Sequence, residues 1–418
     1  MKLSRNLRVL TLLLLLPAAM FAGSCQRKHT VGDLAGVWNG TIYLKSGDEV
    51  PMSMEIKVDG DRIQAAFVDG EDRTPSTSAS FDGRNLHIRF DYYDAELTAG
   101  YVRREVIGTI TRTWHQKTLT RNFKMWKGGE LMVIPAAAEG KDISGEWEMK
   151  VGTGDNPKIW RLIVKQKDAR LTGTIISTAG DWGIMTGSIA YGKIQLNRFD
   201  ISNTRLLRAM LRPDDKLEGT IDLGQDDPAR KFTATRVPSS DSSHTDPSNQ
   251  TRVENPAEKL RFGGIGIDGN SVSESDPRFA NKVVVLEISG TWCPNCYDEA
   301  PLLNTLYQKY QQQGLEIVAL NFEYTGNTKR DLEQVSIFAR RYDLRYLSLL
   351  AGTTEGDDMA RKLPQIKNLS AYPTTIFLGR DGRVRKIHSG FEGPATGERF
   401  VRLRKEFEDT IVELLGEK

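Results

Sequence analysis

The residues of this 418-residue chain best equipped for chemistry are two cysteines, Cys293 and Cys296, in the run Thr291-Trp292-Cys293-Pro294-Asn295-Cys296. A thiol attacks as its thiolate, and two thiols three residues apart can close a disulfide or resolve a mixed one. Upstream, the apolar run Val283 to Leu286, closed by Glu287 and Ile288, reads as a buried strand. Downstream, Leu303, Leu306, Tyr307 and Tyr310 recur at helical spacing and Gly314 ends the helix. Strand, tight turn and helix place both thiols at a helix N-terminus, where unpaired N–H groups and a partial positive charge favour a thiolate. Cys293 is the better placed nucleophile and Cys296 the resolving thiol. Two carboxylates accompany them: Glu287 lies six residues before Cys293, and Glu299 lies three after Cys296 on the same helix face. Buried, either would have a raised pKa and could take the Cys296 proton. The plainer alternatives are a half-exposed strand end for Glu287 and a surface helix position for Glu299.

Competing chemistries fit less well. A zinc site needs two further ligands, yet the third and last cysteine is Cys25 and the five histidines are scattered; no metal is expected. A peroxidatic site would resemble Pro-x-x-x-Thr-x-x-Cys, whereas Thr291 precedes Cys293 by two residues and the proline is missing. His388 reads as an exposed strand end. Charge is nearly balanced, net +2, and interspersed, which argues against nucleic acid as a partner.

The elements around the dithiol divide the chain. Residues 1–24 read as a signal peptide: Lys2, Arg5 and Arg8, then an apolar stretch from Val9 to Leu16, too short for a comfortable membrane span. The exit, Ala22-Gly23-Ser24-Cys25, resembles a bacterial lipoprotein processing site with Cys25 as the lipidated residue; an ordinary cleaved signal is the alternative. Either places the mature chain where disulfides persist. From Val31 to Arg236 the pattern is all-β, with period-two runs such as Met52 to Val58 and Leu86 to Phe90 between turn signals. It is also duplicated at a spacing of about 110 residues. Leu34-Ala-Gly36-Val-Trp38 answers Ile143-Ser-Gly145-Glu-Trp147, and Val106-Ile-Gly108-Thr-Ile110 answers Leu217-Glu-Gly219-Thr-Ile221. Residues 30–137 and 140–237 are therefore expected to form two tandem all-β repeats, each a small barrel or sandwich of seven or eight strands, with the tryptophans as core plugs and the glycines at bends. A Ser/Pro-rich linker, 238–252, separates them from 253–418, where strands and helices alternate as in an α/β domain.

The segment 253–418 resembles the thioredoxin fold, and within it the TlpA/ResA-like group of membrane-anchored, extracytoplasmic thiol–disulfide oxidoreductases. The resemblance is carried by Trp292-Cys293-Pro294-Asn295-Cys296, by Pro301 in the following helix, and by Tyr372-Pro373-Thr374-Thr375 before a hydrophobic strand. It implies an exposed nucleophile at Cys293, a buried resolving thiol at Cys296 and a redox disulfide between them. It implies a cis-proline at Pro373 that shapes the substrate groove beside Trp292, with Tyr372 offering backbone groups. Glu287 falls where thioredoxins keep a buried acid, though this group more often has asparagine, and Glu299 matches a glutamate of the group's active-site cavity. No cofactor is implied. The implied partners are protein substrates carrying thiols or disulfides, a membrane or periplasmic reductase upstream, and the membrane itself through the N-terminal lipid. The alternative function is a cell-envelope binding or scaffold lipoprotein whose β repeats dock a partner or ligand. Otherwise the repeats serve as spacers or partner-docking domains. Direction, reductase or oxidase, is not encoded in Pro294-Asn295.

Overall fold

A computed structural model describes residues 29–70, 72–114, 117–128, 141–154, 156–201, 203–224, 228–238 and 251–417. The expected signal peptide, Cys25 and most of the expected linker lie outside them. Among the described residues no helix is long and apolar enough to cross a membrane.

The period-two runs become two antiparallel sheets of nine strands each. In the first, strands follow one another as a meander from Gly36–Tyr43 to Lys117–Gly128, and the last pairs back onto the first. The ring stays open between Asp72–Pro75 and Ser78–Phe81. The second sheet closes. Gly145–Val151 pairs with Lys158–Lys167 on one side and Arg230–Val237 on the other, and Lys158–Lys167 continues into Arg170–Ser177. Eight strands make this barrel, and a two-residue ninth, Gly180–Asp181, hangs from Arg170–Ser177 as a hairpin. Closure satisfies the edge hydrogen bonds that an open sheet leaves exposed.

The duplication extends to atoms. Trp38 and Trp147 are both fully buried, and each indole Nε1 donates to the carbonyl four residues back, Leu34 at 2.8 Å and Ile143 at 3.0 Å. Gly36 and Gly145, two residues before each tryptophan, have φ of 126° and 125°, a backbone that L side chains rarely adopt. A cation closes each motif from the last strand: Lys127 Nζ donates to Asp33 O, and Arg236 to Ser144 O.

The C-terminal unit is α/β. Its strands are β1 (Gly263–Gly266), β2 (Ser271–Ser273), β3 (Val283–Ser289), β4 (Leu315–Glu323), β5 (Leu347–Thr353), β6 (Thr374–Leu378) and β7 (Val384–Ser389). Its helices are α1 (Pro294–Tyr310), α2 (Thr328–Arg341), α3 (Gly356–Lys362) and α4 (Glu398–Gly416). The sheet order is β2-β1-β5-β4-β3-β6-β7, with β3, β4 and β5 parallel and β6 antiparallel to β3. β3 is buried at all seven positions, as its continuous apolar run requires of a central strand. Leu403, Phe407, Ile411 and Leu414 form the buried stripe of α4 against one sheet face. Two details depart from the sequence reading. The helix α3 falls in a stretch to which the sequence reading assigned no element, and α1 ends at Tyr310, a 3₁₀ turn carrying the chain to Gly314 at φ 104°.

The three units pack together. The 3₁₀ turn Asp91–Tyr93 of the first sheet meets α2 and α1: Tyr92 and Tyr93 tilt against Tyr297, and Arg341 stacks 4.1 Å over the Tyr92 ring. The second barrel meets α4 through Arg399, whose Nη2 lies 2.8 Å from Glu146. The β repeats thus lie against the α/β unit.

Candidate active site

The turn after β3 delivers the dithiol as its sequence demands. Cys293 is the N-cap of α1, and Pro294, without an N–H to lose, opens the first turn. The Cys296 backbone N–H points at Cys293 Sγ, 3.3 Å away, the interaction that stabilises negative charge at a helix start. Both thiols are free of any disulfide. Tyr372–Pro373 is a cis peptide. Trp292 fills the angle between the loops: its Nε1 donates to Phe322 O at 2.8 Å, its ring stacks on Tyr324, and it meets Tyr372 edge-on, each at 4.9 Å. Trp292, Cys293 and Tyr372 line one cavity of about 270 Å³.

Cys296 is fully buried, and so are Glu287 and Glu299. The plainer surface readings of both glutamates are therefore overturned. The strand register explains the burial: Glu287 on β3 lies opposite Thr375 on β6, and Thr375 donates to Glu299 on α1 at 2.6 Å. The second Glu299 oxygen has no hydrogen-bond partner among the described residues. Glu287 accepts from Ser289 Oγ at 2.9 Å and from Tyr346 OH at 3.4 Å. Ser289 and the Glu287 charge both act on the buried Cys296 thiol, so thiol, hydroxyl and carboxyl share one buried environment. Burial dominates the electrostatics. It pushes Glu287 up to about 7 against the lowering effect of its two hydrogen bonds. It pushes Glu299 well above the usual carboxylate range, helped by the charge of Glu287. It also drives the Cys296 thiol well above its ordinary value, with Cys293 and Glu287 adding to the effect.

Sequence reasoning passed over several neighbours. Ser289 was visible as the i+2 residue from Glu287 on one strand face. Glu323, the last residue of β4, accepts from Thr291 N and Oγ1 at 2.8 and 2.9 Å and pins the loop before Cys293; burial pushes it up to about 8. Arg112, from the first sheet, reaches Trp292 O at 3.5 Å. His388 faces Phe407, 5.2 Å between ring centres, and is not an exposed strand end. Among the described residues no cluster of histidine, cysteine or carboxylate could hold a metal. One expectation needs correction: Cys293 is not exposed but only 3% accessible. The hairpin of the second barrel covers it, with Asn295 Nδ2 donating to Ala179 O at 3.1 Å.

Comparison with known proteins meets this geometry. A family model described as Redoxin matches residues 252–399. The C-terminal unit is a redoxin domain. A thiol-disulfide oxidoreductase ResA of Bacillus cereus is 28% identical over 137 residues, 33% of this chain and 70% of its own length. The ResA of Geobacillus thermodenitrificans is 33% identical over 112 residues, 27% of this chain and 57% of that protein. Among solved structures, a secreted thiol-disulfide isomerase from Corynebacterium glutamicum aligns at 23% identity and a TM-score of 0.32, over 41% of this chain and 96% of its own. The redoxin domain is thus a thioredoxin-fold member of the thiol–disulfide oxidoreductases, and the two β repeats lie outside the residues that the Redoxin model matches.

Proposed function

We propose that this protein reduces disulfides in protein substrates through the Cys293–Cys296 dithiol, outside the cytoplasm on a bacterial cell envelope, held there by lipid at Cys25. The observation that carries the reading is a helix-capping Cys293 on a cavity with Cys296 buried behind it beside Ser289 and Glu287. The Cys293 thiolate attacks one sulfur of the substrate disulfide. The S–S bond breaks, the other substrate sulfur leaves as a thiolate, and a mixed disulfide forms on Cys293. Cys296 then attacks Cys293 Sγ. Its proton passes through Ser289 to Glu287, the Cys293–Cys296 disulfide closes, and the second substrate sulfur departs as a thiolate. Two electrons move from enzyme to substrate, and the two released thiolates take protons from Glu287 and solvent. A reductase upstream returns the dithiol.

The two carboxyls divide the work. Glu299, raised well above the usual carboxylate range, holds its proton more tightly; Glu287, pushed up to about 7, is the acceptor. A base poised near the working pH transfers protons best. Pro373, Tyr372 and Trp292 shape the substrate side.

Cys296→Ser tests the reading. With resolution blocked, substrates should accumulate as covalent adducts on Cys293 that a reductant releases, identified by mass spectrometry from envelope extracts. No adduct under mild oxidation would refute it.

A further inference from the structure

The cavity beside Cys293 is not made by the redoxin domain alone. One wall is the second β repeat: Ser177, Gly180, Trp182, Arg198 and Arg205 face Trp292, Cys293 and Tyr372 across it. The hairpin is seated by main-chain contacts. Asp181 N donates to Phe391 O at 3.0 Å, and Gly393 N donates to the Asp181 carboxylate. Gly180 has φ 110°, and a Cβ there would fall 2.4 Å from Asn295 Nδ2 and 2.5 Å from Phe391 O. Only glycine lets the hairpin come this close to the start of α1.

The charges on the lining nearly cancel, with one exception. Arg198 is paired to Asp72 at 2.8 Å and Asp200 at 2.7 Å. Asp298, on α1, is pushed by burial up to about 8 and so resists ionisation at neutral pH; Asp181 is raised by burial too, and its carboxylate is occupied by the N–H groups of Gly183 and Gly393. Arg205 differs. Its hydrogen bonds run to Asn203 Oδ1 at 2.8 Å and to the carbonyls of Thr204 and Leu223, and it lies 5.0 Å over the Trp182 ring. Among the described residues no carboxylate is in ion-pair contact with it. The Asp200 and Asp222 charges it senses are engaged by Arg198 and by Gly224 N–H. A guanidinium on an aromatic platform, facing a cavity and bonded only to neutral groups, is suited to a carboxylate.

Size narrows the class further. At about 270 Å³ the cavity is just below the range of ordinary ligand pockets. With Cys293 only 3% accessible, the flat surface of a folded protein cannot present its disulfide to the sulfur.

We propose that the second β repeat forms the outer wall of the substrate site, and that this site takes a slender disulfide bearing a carboxylate, its sulfur at Cys293 and its carboxylate on Arg205 above Trp182. Both a free small disulfide and an acidic extended segment of a larger protein have this chemistry. The inference rests on the dithiol reading above and deepens it.

The test uses the reduced full chain and a panel of disulfides: anionic oxidised glutathione, cationic cystamine, and two unstructured disulfide peptides differing only in acidic or basic flanks. Each second-order rate is divided by that of dithiothreitol with the same disulfide, which removes intrinsic reactivity. The expected anion-to-cation ratio is about ten- to a hundredfold, the span of one charge-assisted hydrogen bond. It should collapse toward one in Arg205→Gln and return in part in Arg205→Lys. A faster acidic peptide than oxidised glutathione would identify an extended segment as the source; the reverse would identify a free disulfide. A ratio near one in the native chain, or a ratio that survives Arg205→Gln, would overturn the inference while leaving the dithiol reading intact. The native ratio decides the matter even if a variant fails to fold. Failure to reduce any disulfide would remove both.

Discussion

Glu287→Gln separates the two chemical steps and also tests whether the buried acid is held at an energetic cost. The carboxyl is fully buried, and its pKa stands near 7 against an ordinary value of 4.5. The Cys296 thiol sits well above its ordinary value, so its attack needs a local acceptor. General base catalysis of this kind contributes roughly 10²–10⁴-fold. Resolution of the mixed disulfide should therefore slow by about a hundredfold at pH 7. The first attack by Cys293 does not pass through this chain and should change by no more than about twofold, a factor worth less than the 1.4 kcal/mol of a tenfold change. Rapid-quench mass spectrometry, counting mixed and internal disulfides through one turnover, reads both rates. In the native chain the resolution rate should rise with pH through an inflection near 7, and in the variant that inflection should vanish.

Stability should move the opposite way. A carboxyl whose folded pKa is raised binds its proton more tightly in the native state. Its contribution is therefore fully present below pH 4.5 and is lost as pH rises toward and past 7. The shift from 4.5 to about 7 corresponds to about 3 kcal/mol at most. Glutamine carries no such penalty, so at pH 8 the variant should unfold at higher denaturant than the native chain, with a smaller difference at pH 5. Unchanged resolution kinetics, or equal slowing of both steps, would refute the relay. Lower stability at pH 8 would refute the electrostatic account of the site.

Two further outcomes follow from the packing. Glu146 on the second barrel lies 2.8 Å from Arg399 and 3.8 Å from the fully buried Arg161; Glu146→Ala should destabilise the chain by about 3 kcal/mol in denaturant titration and should speed alkylation of Cys293 as the barrel loosens from α4. The paired indole bonds at Trp38 and Trp147 predict that Trp38→Phe and Trp147→Phe each cost about 1–3 kcal/mol, with a clear inequality between them in thermal unfolding counting against equivalent cores.

What could be read in advance was whatever is local or periodic. The dithiol turn follows from an i, i+3 spacing between an apolar strand and an amphipathic helix, and the barrels follow from alternation. Glu287 and Glu299 were readable as candidates, but their meeting was not, because it depends on the register that sets Thr375 opposite Glu287. Helix α3 was missed because Gly356-Asp357-Asp358 reads as a turn and seven residues carry little periodicity. The covering hairpin was least legible. Its grip on α1 spans 116 residues and runs through the carbonyl of Ala179, and a backbone carbonyl has no residue type to betray it.

That blind spot bears on how the duplicated halves came to differ. The two repeats keep the same tryptophan, the same glycine conformation and the same closing cation, which are the features a barrel core needs whatever it touches. Their contacts with the redoxin domain share nothing. The first repeat offers aromatic rings from a 3₁₀ turn to Tyr297 and Arg341, behind the dithiol helix. The second offers a glycine hairpin and an arginine wall at its front. Core constraints act equally on both copies, whereas docking constraints act on each separately. Among the described residues it is the second repeat that lines the cavity beside Cys293, so substitutions in its wall should alter substrate choice, while those in the first repeat's aromatic contact should alter stability alone.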